Sequence, residues 1–226
     1  MIELHGWMTP NSRKLYYMLE ETGLDYQIHP VNIGAGQQHE PDFLAFSPNN
    51  KTPAMIDTDG PGGKPHSVFE TGAMLIYLAE KTGQFLPADP AKRSNVMQWL
   101  MWQIGGMAPM LGQQGYFNNL DDKDANAHAV ERFAKEAARL YGVLDKRLSS
   151  SEYVAGGDYT IADISAHPWA RSHPRQGVSL DDYSNVKRWF EQINERPATE
   201  RGNKIADSVK EASENTDGPI DPKSLI

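Results

Sequence analysis

The sequence predicts an α/β layer followed by an all-α bundle, and three observations predict it. Short strand signals alternate with helical ones up to about residue 85. A proline-bearing stretch, Leu86-Pro87-Ala88-Asp89-Pro90, then interrupts the chain. Beyond it the strand signals stop, and apolar residues recur only at helical spacing. The chain is accordingly read as an α/β domain over residues 1–85, an all-helical domain over 91–205 and a polar tail over 206–226.

Ile2 and Leu4 alternate in the first strand. Leu15, Met18 and Leu19 mark a helix from Ser12 to Glu21, and Gly23 stops it. Tyr26 and Ile28 open a second strand. The loop GAGQQ at 34–38 precedes a short helix through Phe43 and Leu44, which Ser47-Pro48 ends. Two strands follow, Ala54-Met55-Ile56 and Ser67-Val68-Phe69, with the turn-rich DGPGGKP between them. A helix from Thr71 to Lys81 closes the layer, with Gly83 beyond it. The order β-α-β-α-β-β-α is that of a thioredoxin-like layer.

In the second half, Val130, Phe133, Ala137, Leu140, Tyr141, Leu144 and Leu148 form one face of a helix from Ala125 to Leu148. Thr160 is placed to cap another, with Asp163 at its positive end. Val186 to Ile193 gives a further helix, ended by Arg196-Pro197. The tail EASENTDGPIDPKS is polar and turn-rich, and either a surface course or disorder is expected for it. Trp99, Trp102, Met97 and Met101 read as packed core, and Gly105-Gly106 with Pro109 as a helix break.

Composition excludes several functions. With 39% hydrophobic and 23% charged residues, the chain is of ordinary globular type. No apolar run approaches the roughly 18 residues of a membrane span, and MIELHGWMTP lacks the apolar core of a secretion signal. A cytoplasmic protein without membrane partners is expected. The formal charge of -8 repels polyphosphate, so nucleic acid is not expected as a partner. The chain has no cysteine, which excludes disulfide scaffolding, CxxC redox chemistry and a cysteine nucleophile. The seven histidines show no HxxxH or HExxH spacing, so no metal is assigned.

Three places can carry chemistry. Thr9, Pro10 and Asn11 stand at the mouth of the first helix, where free N–H groups and the helix dipole favour an anion such as a thiolate. The bland alternative is a turn with an N-cap. Lys51-Thr52-Pro53 enters a strand, and a cis proline there would turn the polar backbone of Thr52 toward a ligand. Glu70-Thr71 marks a strand-to-helix junction, where a helix N-terminus suits a carboxylate and an adjacent glutamate suits an ammonium. Taken singly, each has an ordinary structural explanation. Their order within one β-α-β-α-β-β-α unit makes a combined site the better reading.

The stretches PDFLAFSPNNKTPA at 41–54 and SVFETGAMLIYLAE at 67–80 resemble the thioredoxin-like domain of the glutathione transferases. YTIADI at 159–164 is similar to the capping signature of that family's helical domain. T-P-N at 9–11, the Gly-Gln loop at 34–38 and WQIGGMAPMLGQ from Trp102 to Gln113 resemble the nu class in particular. The likeness covers residues 1–200, and Thr52 departs from it, standing where an aliphatic residue is usual.

That resemblance implies Thr9 and Asn11 at a glutathione thiol, and Thr52 with Pro53 at the cysteinyl backbone. It implies Glu70 and Thr71 at the γ-glutamyl group and Gln38 and Lys51 at the glycyl end. Arg132, which periodicity alone reads as a solvated charge, is implied to reach glutathione, within or across the subunits of a homodimer. The implied activity is reduction of small disulfides with one or two glutathione molecules, or oxidised glutathione, and with peroxidase activity on the side. A conjugating transferase and a non-catalytic binding module remain the alternatives.

Overall fold

Where the sequence alternates apolar residues, the chain builds a sheet; the computed structural model describes residues 1–216 and 218–226. The strands are β1 (Ile2–Gly6), β2 (Tyr26–Pro30), β3 (Ala54–Asp57) and β4 (His66–Phe69), in the order β2-β1-β3-β4. β1 runs parallel to β2 with Ile2 opposite Tyr26, and antiparallel to β3 with Leu4 opposite Met55. β4 pairs antiparallel with β3, Val68 facing Met55. Ile2, Leu4, Ile28 and Met55 point to one face and are fully buried.

Against that core pack α1 (Pro10–Thr22) and α3 (Thr71–Thr82), which also touch each other; α2 (Pro41–Leu44) is a single turn. The Thr9 hydroxyl oxygen caps α1 by accepting the Ser12 N–H at 3.1 Å, and Pro10 occupies the first turn, where its missing N–H costs nothing. Gly23 and Gly83 end α1 and α3 in the left-handed conformation, both at φ 67°. On the other face of the sheet His5 meets Phe46 at a ring distance of 4.6 Å, and Phe43 meets Phe46 at 5.3 Å.

The second compact unit spans Phe85–Glu195. It holds α4 (Pro90–Trp102), α5 (Ala108–Phe117), α6 (Ala127–Leu148), α7 (Ile161–Arg171) and α8 (Ser184–Asn194). The Asp89 carboxylate caps α4 on the Lys92 N–H at 2.9 Å. The break expected at Gly105-Gly106 is instead a π segment, Gln103–Met107, that carries α4 into α5 without interruption. Glycine and Pro109 are tolerated there because the wide turn rearranges the hydrogen bonds locally, the Ala108 N–H donating to Gln103 O.

The packed core expected of Met97, Trp99, Met101 and Trp102 is not found. The buried stripe of α4 runs through Val96 and Leu100 and on to Met107, and those four residues fall off it. Met101 is 47% exposed. Trp99 and Trp102 are half-buried, meet edge to face at 5.3 Å, and the Arg147 guanidinium lies 5.6 Å over Trp99.

The cap expected at Thr160 is present, and Asp163 makes it a reciprocal capping box: its Oδ2 accepts the Thr160 N–H at 3.0 Å. Its other oxygen takes the Val154 N–H at 2.8 Å and the Trp189 indole N–H at 2.9 Å, so this buried carboxylate ties together α7, α8 and the loop before α7. Burial nevertheless raises the Asp163 carboxyl to about 6.

The largest departure lies at the C-terminus. The helix over Val186 to Ile193 does end before Arg196-Pro197, α8 closing at Asn194, but the same pair opens an unanticipated helix, α9 (Pro197–Ser213). This helix and everything after it belong with the first unit, Met1–Gln84 plus Arg196–Ile226, rather than with the helical domain or a loose tail. Ala198, Ile205, Ala206 and Val209 form its buried face, and α9 packs along α1. Gly202 permits the approach, since a Cβ there would stand 2.6 Å from Tyr17 Cδ1. Tyr17 donates to Asn203 Oδ1 at 2.6 Å, Arg196 forks onto Glu21 at 2.6 and 2.9 Å, and Arg13 pairs with Asp207. Ile220 then exchanges two backbone hydrogen bonds with Ile28, at 2.8 and 3.0 Å, on the outer edge of β2. No helix among the described residues is long and apolar enough to cross a membrane.

Candidate functional site

The head of α1, the loop before β3 and the β4–α3 junction meet around a cavity of about 120 Å3. Asn11, Lys51, Thr52, Pro53, Glu70 and Thr71 line it. Three stretches singled out separately in the sequence therefore share one concave surface. The Thr52–Pro53 peptide is cis. Ser47 holds the loop by donating its hydroxyl to Lys51 O at 3.1 Å.

At the β4–α3 junction Glu70 sits at φ 70° and ψ 117°, a backbone region that residues with a side chain rarely adopt. Its carboxylate accepts from Asn49 Nδ2 at 3.2 Å, and its side chain does not cap α3. The first N–H groups of α3 lack intrahelical acceptors by construction, so the junction offers donors and positive helix potential beside an exposed carboxylate. Thr71, the first residue of α3, is 8% exposed and accepts from Lys14 Nζ at 3.2 Å. Lys14 is fully buried; desolvation pulls its ammonium down to about 7, against the attraction of Glu70.

At the head of α1 the bland alternative is realised in part, because Thr9 is the N-cap. Its oxygen accepts from the Ser12 N–H, and its own hydrogen is directed to Ser12 Oγ at 3.1 Å. Ser12 Oγ also takes the Trp7 N–H at 3.1 Å. The Thr9 hydroxyl can still turn its single hydrogen to a ligand without giving up the cap, because capping uses only a lone pair.

Three expected residues, Thr9, Gln38 and Arg132, do not line this cavity. Gln38 lies in the 3₁₀ turn Gln37–His39, half-buried, with its amide oxygen buried and without a hydrogen-bond partner. Arg132 belongs to the second unit, on α6, in a cavity of about 550 Å3 that it lines with Met110, His128, Phe133 and Glu136. Conversely, Ser47, Asn49 and Phe69 line the first cavity and were not anticipated. The signal for Lys14 was available: it stands four residues before Met18, on the apolar side of the helix, where a lysine is out of place.

Among the described residues, Glu3, His5 and His29 bring three possible metal-ligand atoms within 4.8 Å of one another. The two imidazoles stack 4.5 Å apart at 17°, so their in-plane lone pairs run side by side instead of converging on one ion.

Residues 9–81 match the model of the glutathione S-transferase N-terminal domain, and residues 94–197 match that of the C-terminal domain. The chain is 48% identical over 200 residues to the disulfide-bond oxidoreductase YfcG of Escherichia coli K12, covering 88% of this chain and 93% of that protein. A glutathione transferase family member from Pseudomonas fluorescens, solved with two glutathione molecules bound, superposes with a TM-score of 0.82 at 44% identity, covering 89% of this chain and 92% of that one. A glutathione transferase from Pseudomonas putida, solved with one glutathione disulfide per subunit, gives 0.84 at 42% identity, covering 90% and 91%. Both domain models match in order, and the likeness extends over nearly the whole of a bacterial relative: the chain belongs to the glutathione S-transferase family.

Proposed function

We propose that this chain is a glutathione-dependent disulfide-bond reductase of the nu-class kind, acting as a cytoplasmic homodimer. The observation that carries the reading is the convergence of Asn11, Thr52-Pro53 and Glu70-Thr71 on one cavity. In this reading the glutathione thiolate lies at the head of α1, between the Thr9 hydroxyl and the Asn11 N–H. Thr52 meets the cysteinyl backbone. Glu70 takes the γ-glutamyl ammonium and Thr71 its carboxylate, while Gln38 and Lys51 serve the glycyl end. Arg132, whose planar fork suits a carboxylate, reaches glutathione within or across subunits.

The chemistry needs no protein sulfur, in keeping with a chain that has none. A glutathione thiolate attacks one sulfur of the substrate disulfide; a mixed disulfide forms and the other half leaves as a thiolate that takes up a proton. A second glutathione thiolate attacks the glutathionyl sulfur, releasing the remaining half and leaving glutathione disulfide. Two electrons pass from two thiols to one disulfide. One solved relative holds the two thiols and another holds the oxidised pair, which supports the same cycle here. A hydrogen bond to a charged group contributes about 1.5–3 kcal/mol, enough to lower a thiol pKa by about one to two units and favour thiolate near neutrality. The same thiolate can open a hydroperoxide O–O bond as a side activity. A cycle that consumes glutathione thiol fits the reduced glutathione pool of the cytoplasm.

The test is reduction of bis(hydroxyethyl) disulfide, coupled to glutathione reductase and NADPH oxidation. Turnover that depends on glutathione, with KM for glutathione raised in Glu70→Ala, is expected. Conjugation of an aryl chloride without disulfide turnover would make the chain a conventional transferase. Glutathione binding with neither reaction would make it a binding module, and no binding would remove the site.

A further inference from the structure

Lys14 is a lysine with 0% exposure in the core of the first unit. Lysine is almost never fully buried without a partner, and taking its charge out of water carries a penalty of several kcal/mol. A methionine of similar shape in this core would avoid that penalty. The position of the ammonium suggests what offsets it. Nζ lies 3.2 Å from Thr71 Oγ1, on the protein side of a residue that lines the cavity, at the N-terminal end of a 12-residue helix. The nearby carboxylate of Glu70 is exposed and already engaged by Asn49.

A threonine hydroxyl has one hydrogen to give and two lone pairs. Lysine can only donate, so the Lys14 contact occupies a lone pair of Thr71 and leaves its hydrogen available for another acceptor, such as one in the cavity that Thr71 lines. The same ammonium places a positive charge behind the first turn of α3, adding to the helix potential at that point. We propose that Lys14 is a positioning residue of the γ-glutamyl subsite: from inside the core it sets Thr71 as a donor and supplies buried positive charge to the carboxylate that docks on α3. This inference rests on the proposed function, in which that carboxylate belongs to glutathione. An ammonium that burial has brought down to about 7 is one whose charge a docking anion would reinforce.

The experiment compares wild type with Lys14→Met, which roughly conserves volume, and with Lys14→Gln. Glutathione affinity is read by calorimetry, kcat and KM in the coupled disulfide assay, and Tm separately. Both variants should raise Kd and KM for glutathione about 10- to 100-fold, the range expected for loss of a hydrogen bond to a charged group, while kcat changes by less than about threefold. Lys14→Met should melt at or above the wild-type temperature, because an apolar residue replaces a buried charge. Thr71→Val should weaken binding similarly, and the double variant by less than the product of the two effects, since both act through one contact. Wild-type affinity in a folded Lys14→Met would overturn the proposal while leaving the proposed function standing. Unfolding of both variants would make Lys14 a residue that holds the fold, and would overturn it too. A wild type that binds no glutathione fails the proposed function itself, before Lys14 is tested.

Discussion

His5 and His29 face each other across the parallel strands β1 and β2, their rings stacked at 4.5 Å and 17° from parallel. The Nε2 atom of each is buried without a hydrogen-bond partner, and Phe46 packs on His5 at 4.6 Å. Such a pair is stable only while both rings are neutral. Burial, and after it the neighbouring His29, brings His5 from 6.5 down to about 4, and burial also lowers His29 against the pull of Glu3.

The first prediction follows from the sign of those shifts. A depressed histidine pKa means that the unfolded chain binds more protons below about 6.5, so stability is full above that value and is lost as the pH falls toward about 4. Asp163 acts in the opposite direction: its carboxyl is raised to about 6, so it adds stability as the pH falls below that value. Urea midpoints should therefore drop between about pH 7.5 and pH 5, and less steeply in His5→Phe, which keeps a ring against Phe46. Equal slopes in the two proteins would clear the pair of responsibility.

Gly202→Ala sets two effects of known sign against each other. Alanine favours a helix over glycine by about 1 kcal/mol, but the new methyl would lie 2.6 Å from Tyr17 Cδ1 between two packed helices. Overpacking of this kind costs about 1–3 kcal/mol, so net destabilisation is expected in chemical denaturation. A stabilised variant would mean that Tyr17 moves aside freely.

Thr9 has two duties that one pair of variants separates. Thr9→Ala removes the cap of α1, costing about 1 kcal/mol of stability, and under the proposed function it raises the bound thiol pKa by about one unit or more. Thr9→Ser should restore both. A pH–rate profile unmoved in Thr9→Ala, alongside the stability loss, would leave the residue a cap alone.

Truncation after Ser213 removes Ile220, which is 5% exposed, and its two hydrogen bonds to the edge of β2. Deletion of a buried isoleucine side chain costs about 2–5 kcal/mol, and the bared edge is a template for pairing with another chain. Lower stability and concentration-dependent association in light scattering are expected; full stability would mean that the C-terminal segment contributes no packing.

The α/β layer was legible nearly to the residue because its signals are local: alternation in Ile2 and Leu4, a cap at Thr9, and glycines at 23 and 83 to end helices. The three stretches of the cavity were legible for the same reason, each being a turn or a helix head. α9 was missed because Lys, Glu and Asp surround its four apolar anchors and Gly202 interrupts them. Its place is decided by α1, which is distant in sequence. Trp99 and Trp102 misled because aromatic content was read without its angle around the helix; Val96 and Leu100 define the buried side. Lys14 could not be placed from sequence because its hydrogen bond to Thr71 joins it to another helix.

The π segment has a bearing on lineage. From Val96 to Leu111 is 111 − 96 = 15 residues, and both ends are buried. At 3.6 residues per turn a regular helix would carry Leu111 about 60° away from the line of Val96. The wide turn at Gln103–Met107 takes up part of that rotation. A π turn holds one residue more than an α-helical turn, so this seam is where the α4–α5 run can lodge an added residue. A relative one residue shorter at Gly105-Gly106 can run as plain α-helix and bury the same side of α5, so length differences among relatives should collect at this seam rather than elsewhere along α4 and α5.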